Sequence, residues 1–155
     1  MPLDETTAKA SAQHHYDSAF HLYHVTLPLV KDPKLLMAVL QNIHTSMTLG
    51  IDTTLSLARQ QRLIPPYPNH PLVKINIFKE RYLEKYKIPE EMLTMISDIK
   101  DILDLHKNSP QAFHRDNKYV ICTDNYLLKT LSQEDIKKYL DRNTSFLQII
   151  KQIVH

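Results

Sequence analysis

Apolar residues recur at spacings of three and four along most of this chain, which is the period of amphipathic helices. Residues 8–30 read as a first helix, with Ala12, Tyr16, Ala19, Phe20, Tyr23, Leu27 and Val30 on one stripe. Pro28 should bend or end it, because proline has no N–H to give the helix. Lys31-Asp32-Pro33 is a restart signal: Asp32 can accept from free N–H groups, and Pro33 suits a first helical position. The second helix is expected to run to about Arg62, roughly 45 Å at 1.5 Å per residue. Its core stripe is Leu36, Val39, Leu40, Ile43, Met47, Gly50, Thr54, Leu57 and Ala58. Gly50 lowers helix propensity on that stripe, so it predicts the close approach of another helix.

Residues 64–71, Ile-Pro-Pro-Tyr-Pro-Asn-His-Pro, hold four prolines that no helix can pass through. This reads as a rigid link inside one domain, residues 1–155. Leu72, Ile75, Lys79, Tyr82, Leu83 and Tyr86 predict a third helix, interrupted at Ile88-Pro89. A fourth follows, with Met92, Met95, Ile96, Ile99, Ile102, Leu103 and His106 on one face. Tyr119-Val120-Ile121-Cys122-Thr123 is rich in β-formers, and Tyr126 to Thr130 can return beside it, which predicts a short β-hairpin at 118–130. The same residues fit a helix through Phe113, Val120, Ile121, Leu127, Leu128 and Leu131 equally well. A last helix is capped by Ser132, with Glu134 and Asp135 in its first turn. It buries Ile136, Tyr139, Leu140, Asn143, Phe146, Leu147, Ile150 and Val154. The expected fold is all-α, an antiparallel bundle of about five to six helices with the short hairpin as its one departure.

Composition sharpens this picture. The 155 residues are 43% hydrophobic and include a single glycine, Gly50. Sandwiches and doubly wound α/β domains need many left-handed turns, so scarce glycine argues against both. Cys122 is the only cysteine, which excludes an intramolecular disulfide and fits a reducing, cytoplasmic setting. The polar start Met1-Pro2-Leu3-Asp4-Glu5 lacks the basic and apolar parts of a signal peptide, and no apolar stretch is long enough to span a membrane. A net charge of +2 is no nucleic-acid signature by itself.

Three groups of residues are candidates for chemistry. His14, Asp17, His21 and His24 follow i, i+3, i+7, i+10 spacing and fall within roughly an 80° arc of a helix. Imidazoles and a carboxylate so placed can bind a divalent metal, the one cofactor the sequence offers. That arc lies opposite the apolar stripe, so it should face solvent or a partner, and a symmetric homodimer through it is an expected arrangement. Arg115, Lys118 and Lys129, interleaved with Tyr119 and Tyr126, are a candidate nucleic-acid surface, since cations neutralise phosphates and tyrosine can stack on unpaired bases. Elsewhere basic residues look scattered along helices without such interleaving. Asp98, Asp101 and Asp104 read as a solvated helix face, His106 as a core histidine with a partner, and Cys122 as a small buried hydrophobe. Glycine-rich phosphate loops, G-x-S-x-G, H-E-x-x-H and C-x-x-C do not occur.

His15-Tyr16-Asp17, Lys31-Asp32-Pro33-Lys34-Leu35-Leu36, Ile64-Pro65-Pro66, His106-Lys107-Asn108-Ser109-Pro110 and the run from Lys118 to Ser132 resemble a family of small archaeal helical proteins, a resemblance that brings no activity with it. Two long helices followed by shorter ones are similar to the HEPN superfamily, whose members include RNases, toxin components and partners of nucleotidyltransferases. HEPN nucleases carry an Arg followed after four to six residues by His. The nearest pair here, Arg62 and His70, is separated by seven, so no catalytic residue carries over, and the resemblance implies a non-catalytic member. The expected function is a non-enzymatic helical-bundle binding protein associated with RNA or with a protein partner. A metal-dependent enzyme on the His/Asp face and a HEPN-like RNase with a displaced site are the alternatives.

Overall fold

The computed structural model describes residues 5–32, 34–108, 111–115, 118–122 and 128–154. Helix α1 (Glu5–His21) runs through a π-helical segment (Leu22–Thr26) into the short α2 (Leu27–Val30). Then come α3 (Lys34–Gln60), α4 (Pro71–Tyr82), α5 (Glu90–Asn108), strands β1 (Gln111–Arg115), β2 (Lys118–Cys122) and β3 (Leu128–Ser132), and α6 (Gln133–Val154). The fold is an all-α bundle that carries one small antiparallel sheet.

The stripe expected on α3 is the spine of the core, and α1, α4, α5 and α6 all pack on it. Ser46 Oγ donates to the Ala12 carbonyl (2.8 Å) and His15 Nδ1 lies 2.9 Å from Asn42 Oδ1, so α1 and α3 run in opposite directions. Helix α6 lies beside both. Tyr16 OH is 2.6 Å from Thr144 Oγ1, and Tyr23 OH donates to the Gln133 carbonyl at 3.2 Å. A Cβ on Gly50 would sit 3.4 Å from both Ile150 Cγ1 and Phe146 Cε1, so α3 and α6 do approach closely there. Asn143 is the polar member of the α6 stripe and is fully buried, its Oδ1 3.2 Å from Ser46 Oγ. The single Ser46 proton is taken by the shorter contact to Ala12. A half-turn of the Asn143 amide then lets Nδ2, otherwise unpartnered, donate to Ser46 Oγ.

The first helix departs from its expected stripe. Ala12, Ala19 and Leu27 are buried and Tyr16 and Tyr23 half-buried, but Phe20 and Val30 are 46% and 59% exposed. Two causes act. The contact line on α3 passes through the small Ala12 and Ala19, and Phe20 lies one residue step beyond it. Pro28 cannot donate to the His24 carbonyl. The chain widens ahead of it, with Leu27 N–H bonded to Leu22 O, and the following residues rotate away from the core. On α4 the buried residues are Phe78 and Tyr82, whereas Leu72 is exposed. The helix therefore faces inward through a line rotated by roughly 60° from the expected one, sharing Tyr82 with it, and the Phe78 ring lies 5.8 Å from that of Phe146.

The hairpin reading of 118–130 describes the structure. β2 pairs with β3 antiparallel, Tyr119 opposite Leu131, and β3 extends to Ser132. A third strand, β1, pairs on the other side of β2 with Phe113 opposite Val120, giving the order β1-β2-β3. Tyr119, Val120 and Ile121 are all buried. Ser132 then caps α6 as expected: Asp135 N–H donates to Ser132 Oγ (3.1 Å), and Asp135 Oδ2 accepts from Ser132 N–H (3.0 Å). Among the described residues no helix is long and apolar enough to cross a membrane.

Candidate nucleic-acid interface

Of the residues expected at an interface over 115–129, the structure describes the side chains of Lys118 and Tyr119. Lys118 is exposed at the start of β2. Tyr119 is 4% exposed, and its hydroxyl lies 3.1 Å from His106 Nδ1. Its ring therefore belongs to the core and is not offered to a base, which corrects that assignment. Burial, and then the Asp32 carboxylate, push its phenol above the usual range. His106 is thereby the partnered, half-buried histidine that its apolar face implied. Arg115 opposes Lys118, while Lys129 opposes Ile121, so strand parity puts these two positions on different faces of the sheet. Tyr126 lies outside the described residues, as do the side chains of Arg115, Cys122 and Lys129.

His14, Asp17, His21 and His24 are all exposed, as the position of their arc requires. Each is engaged separately. Asp17 Oδ1 accepts from Gln13 Nε2 (2.9 Å), His21 Nδ1 lies 3.5 Å from Thr26 Oγ1, His24 packs on Phe20 with centroids 4.3 Å apart, and His14 meets His15 edge-on. Among the described residues no three His, Cys, Asp or Glu side chains converge as a metal-ligand group. The π segment begins right after His21 and turns His24 out of the regular arc.

A different basic and aromatic cluster forms where α3, the proline connector and α4 meet. Helix α3 ends in a Schellman turn: Leu63 N–H donates to Ala58 O (2.8 Å) and Arg62 N–H to Arg59 O (3.0 Å), with Arg62 at a left-handed φ of 59°. The connector then runs extended through Pro65 and Pro66, and Arg81 Nη1 fastens it to α4 by donating to Leu63 O (3.3 Å). Beneath it lies an open cleft of about 770 Å³, walled by Ile64, Tyr67, Arg81, Tyr82, Lys85 and Tyr86 among others. Arg59 lies 5.9 Å from the Tyr67 ring centroid, Arg81 5.8 Å from Tyr82 and Lys85 5.6 Å from Tyr86. A smaller recess against Arg59 and Arg62 adjoins it.

Charge distinguishes this cleft from another among the described residues. That one, about 570 Å³, has a floor of Ile51, Ile75 and Ile96 and carries His44, Asp52, Lys74, Lys100 and Asp104. Its cations are already matched, Lys74 to Asp52 at 3.0 Å and Lys100 to Asp104 at 3.5 Å. Around the connector, Arg59, Arg62, Arg81 and Lys85 are exposed and form no salt bridge among the described residues; Glu80 and Glu84 are the acids nearby. Sequence reasoning passed over this cluster because three separate segments supply it. The signal it left was the pair Arg81-Tyr82 and Lys85-Tyr86, one basic-aromatic step repeated a helical turn later.

Comparison with known proteins gives no matching family model, no matching curated protein and no matching solved structure.

Proposed function

We propose that this chain is a non-enzymatic RNA-binding helical bundle that holds an unpaired stretch of RNA in the connector cleft. The observation that carries the reading is the set of cations lying against tyrosine rings around an open groove and the recess that adjoins it, none of them neutralised by a described ion pair. Arg59, Arg62, Arg81 and Lys85 supply charge to consecutive phosphates. The half-buried Tyr67 and Tyr86 keep part of a ring face for a base. The prolines help by holding Tyr67 in place before any ligand arrives, which lowers the ordering cost of binding.

Binding should be modest, since the chain carries only +2 overall. It should also depend steeply on salt: three to four phosphate contacts on a single strand give a slope of about −2 to −3 in log affinity against log salt. Fluorescence anisotropy with a short unpaired RNA measures this. Arg59→Ala, Arg81→Ala and Lys85→Ala combined should cut affinity at least tenfold and flatten the slope while thermal melting stays cooperative. Lys118→Ala should leave binding unchanged. Equal affinity in wild type and triple variant would end this reading.

A further inference from the structure

The first helical run presents a surface that the RNA reading does not use. From Ser18 to Val30 there is no Lys, Arg, Asp or Glu, although 23% of the whole chain is charged. Four of the six large hydrophobic side chains found exposed lie in this stretch: Phe20 at 46%, Val25 at 44%, Leu29 at 79% and Val30 at 59%. His21, His24 and Pro28 are exposed among them. A contiguous apolar surface without charge is the usual mark of an interface.

The two ends of the stretch identify its occupant. Asp17 precedes it and Lys31 follows it, both exposed and neither in an ion pair among the described residues. They stand equally far from His24, seven positions on either side. A two-fold axis through His24 that crosses two such helices antiparallel sets Asp17 against the partner's Lys31, and the same pair recurs at the opposite end. Phe20 then lies beside the partner's Pro28 and the partner's Leu29. We infer that the α1–π–α2 face is the interface of a homodimer, closed by two reciprocal Asp17–Lys31 pairs around an uncharged centre. Opposite charges at its two ends make the stretch complementary to a second copy of itself, because in an isologous contact each copy supplies both halves.

Sedimentation equilibrium over a range of concentrations tests the inference on the full chain. Wild type should show a monomer–dimer equilibrium, and Leu29→Glu should be monomeric while still melting cooperatively, at a temperature that no longer rises with concentration. Asp17→Lys and Lys31→Asp should each weaken the dimer several-fold. Combined in one chain they should restore it, since the reversed pairs match again; Asp is tolerated at the left-handed backbone position that Lys31 occupies. His24→Cys in a Cys122→Ser background should give a dimer with a short bis-maleimide. A wild type that stays monomeric at high micromolar concentration would leave the face to a different protein and overturn the inference. So would a dimer that Leu29→Glu does not disturb, or charge reversals that fail to compensate. RNA affinity of Leu29→Glu, measured in parallel, should be that of wild type, so the two proposals fail separately.

Discussion

Among the described residues three occupy left-handed backbone positions, and none is glycine: Lys31 at φ 56°, Arg62 at 59° and Lys87 at 51°. Each ends a helix. Lys87 closes the turns after α4 as Arg62 closes α3, with Ile88 N–H bonded to Leu83 O (2.9 Å) and Lys87 N–H to Glu84 O (3.3 Å). Scarce glycine suggested few such turns; the chain makes them with basic residues, whose charge also suits a helix C-terminus. An L-residue there costs about 1–2 kcal/mol, of which glycine's greater freedom in the unfolded chain returns about half. Lys87→Gly is therefore expected to stabilise by about 0.5 kcal/mol, read as a melting temperature a degree or two higher. A lower one would mean that the lysine side chain contributes more than its backbone costs. Gly50 is the opposite case, a glycine kept at negative φ for want of space. Gly50→Leu adds helix propensity but drives four carbons toward Phe146 and Ile150, and overpacking of this kind costs about 1–3 kcal/mol. Chemical denaturation should show the loss. Gly50 was legible in the sequence because it interrupts a clean apolar stripe; the left-handed caps were not, because the usual marker for them is glycine itself.

Elements were legible in proportion to how regularly their own sequence repeats. α3, α5 and α6 carry unbroken 3.6-residue stripes, and these are buried as read except for Leu57, Leu103, His106, Tyr139 and Val154, which are half-buried at the margins. α1 was misjudged at Phe20 because its contact line runs through the small Ala12 and Ala19, and at Val30 because the π segment changes the angular step partway along, which a fixed 100° cannot follow. β1 was missed because Gln111–Arg115 has no β-branched residue, so its pairing depends on β2 more than on its own propensity. The contact of α3 with α5 yields a pH effect. His44 is half-buried, and burial first, then the nearby Lys100, hold its imidazole below the usual range, with Asp104 opposing. The folded state thus binds fewer protons at this site than the unfolded one. Its contribution is intact above the ordinary histidine range and is lost as pH falls through roughly 6.5 toward the depressed folded value. His44→Gln should decline less in stability between neutral and mildly acid pH than wild type. Denaturation midpoints at several pH values decide this, and parallel decline in the two proteins would count against it.

At the scale of the whole molecule, α3 orders everything else. One side carries α1, another α6, and its C-terminal end delivers Arg59 and Arg62 to the connector. The candidate site was the least legible part of the sequence for that reason. Arg59, Tyr67 and Lys85 are far apart along the chain, and only the Schellman turn, the prolines and the inward Phe78 bring Tyr67 and Lys85 to one cleft and Arg59 to the recess beside it. The interface expected at 115–129 looked compact because its residues were near neighbours in sequence, yet the register puts positions 115 and 129 at opposite parity on the sheet and the core claims Tyr119. The narrow seat at Gly50 has a further consequence, for the order of events during synthesis. α1 and α3 can pair as soon as both have left the ribosome, but the groove that receives Phe146 and Ile150 waits for α6, which begins at Gln133. At about 5–20 residues per second, the roughly seventy residues between the end of α3 and the start of α6 take several seconds to translate. For that interval the nascent chain shows an open apolar trough with Asn143's future partner, Ser46, at its floor. It is the place where a holding chaperone would find this polypeptide.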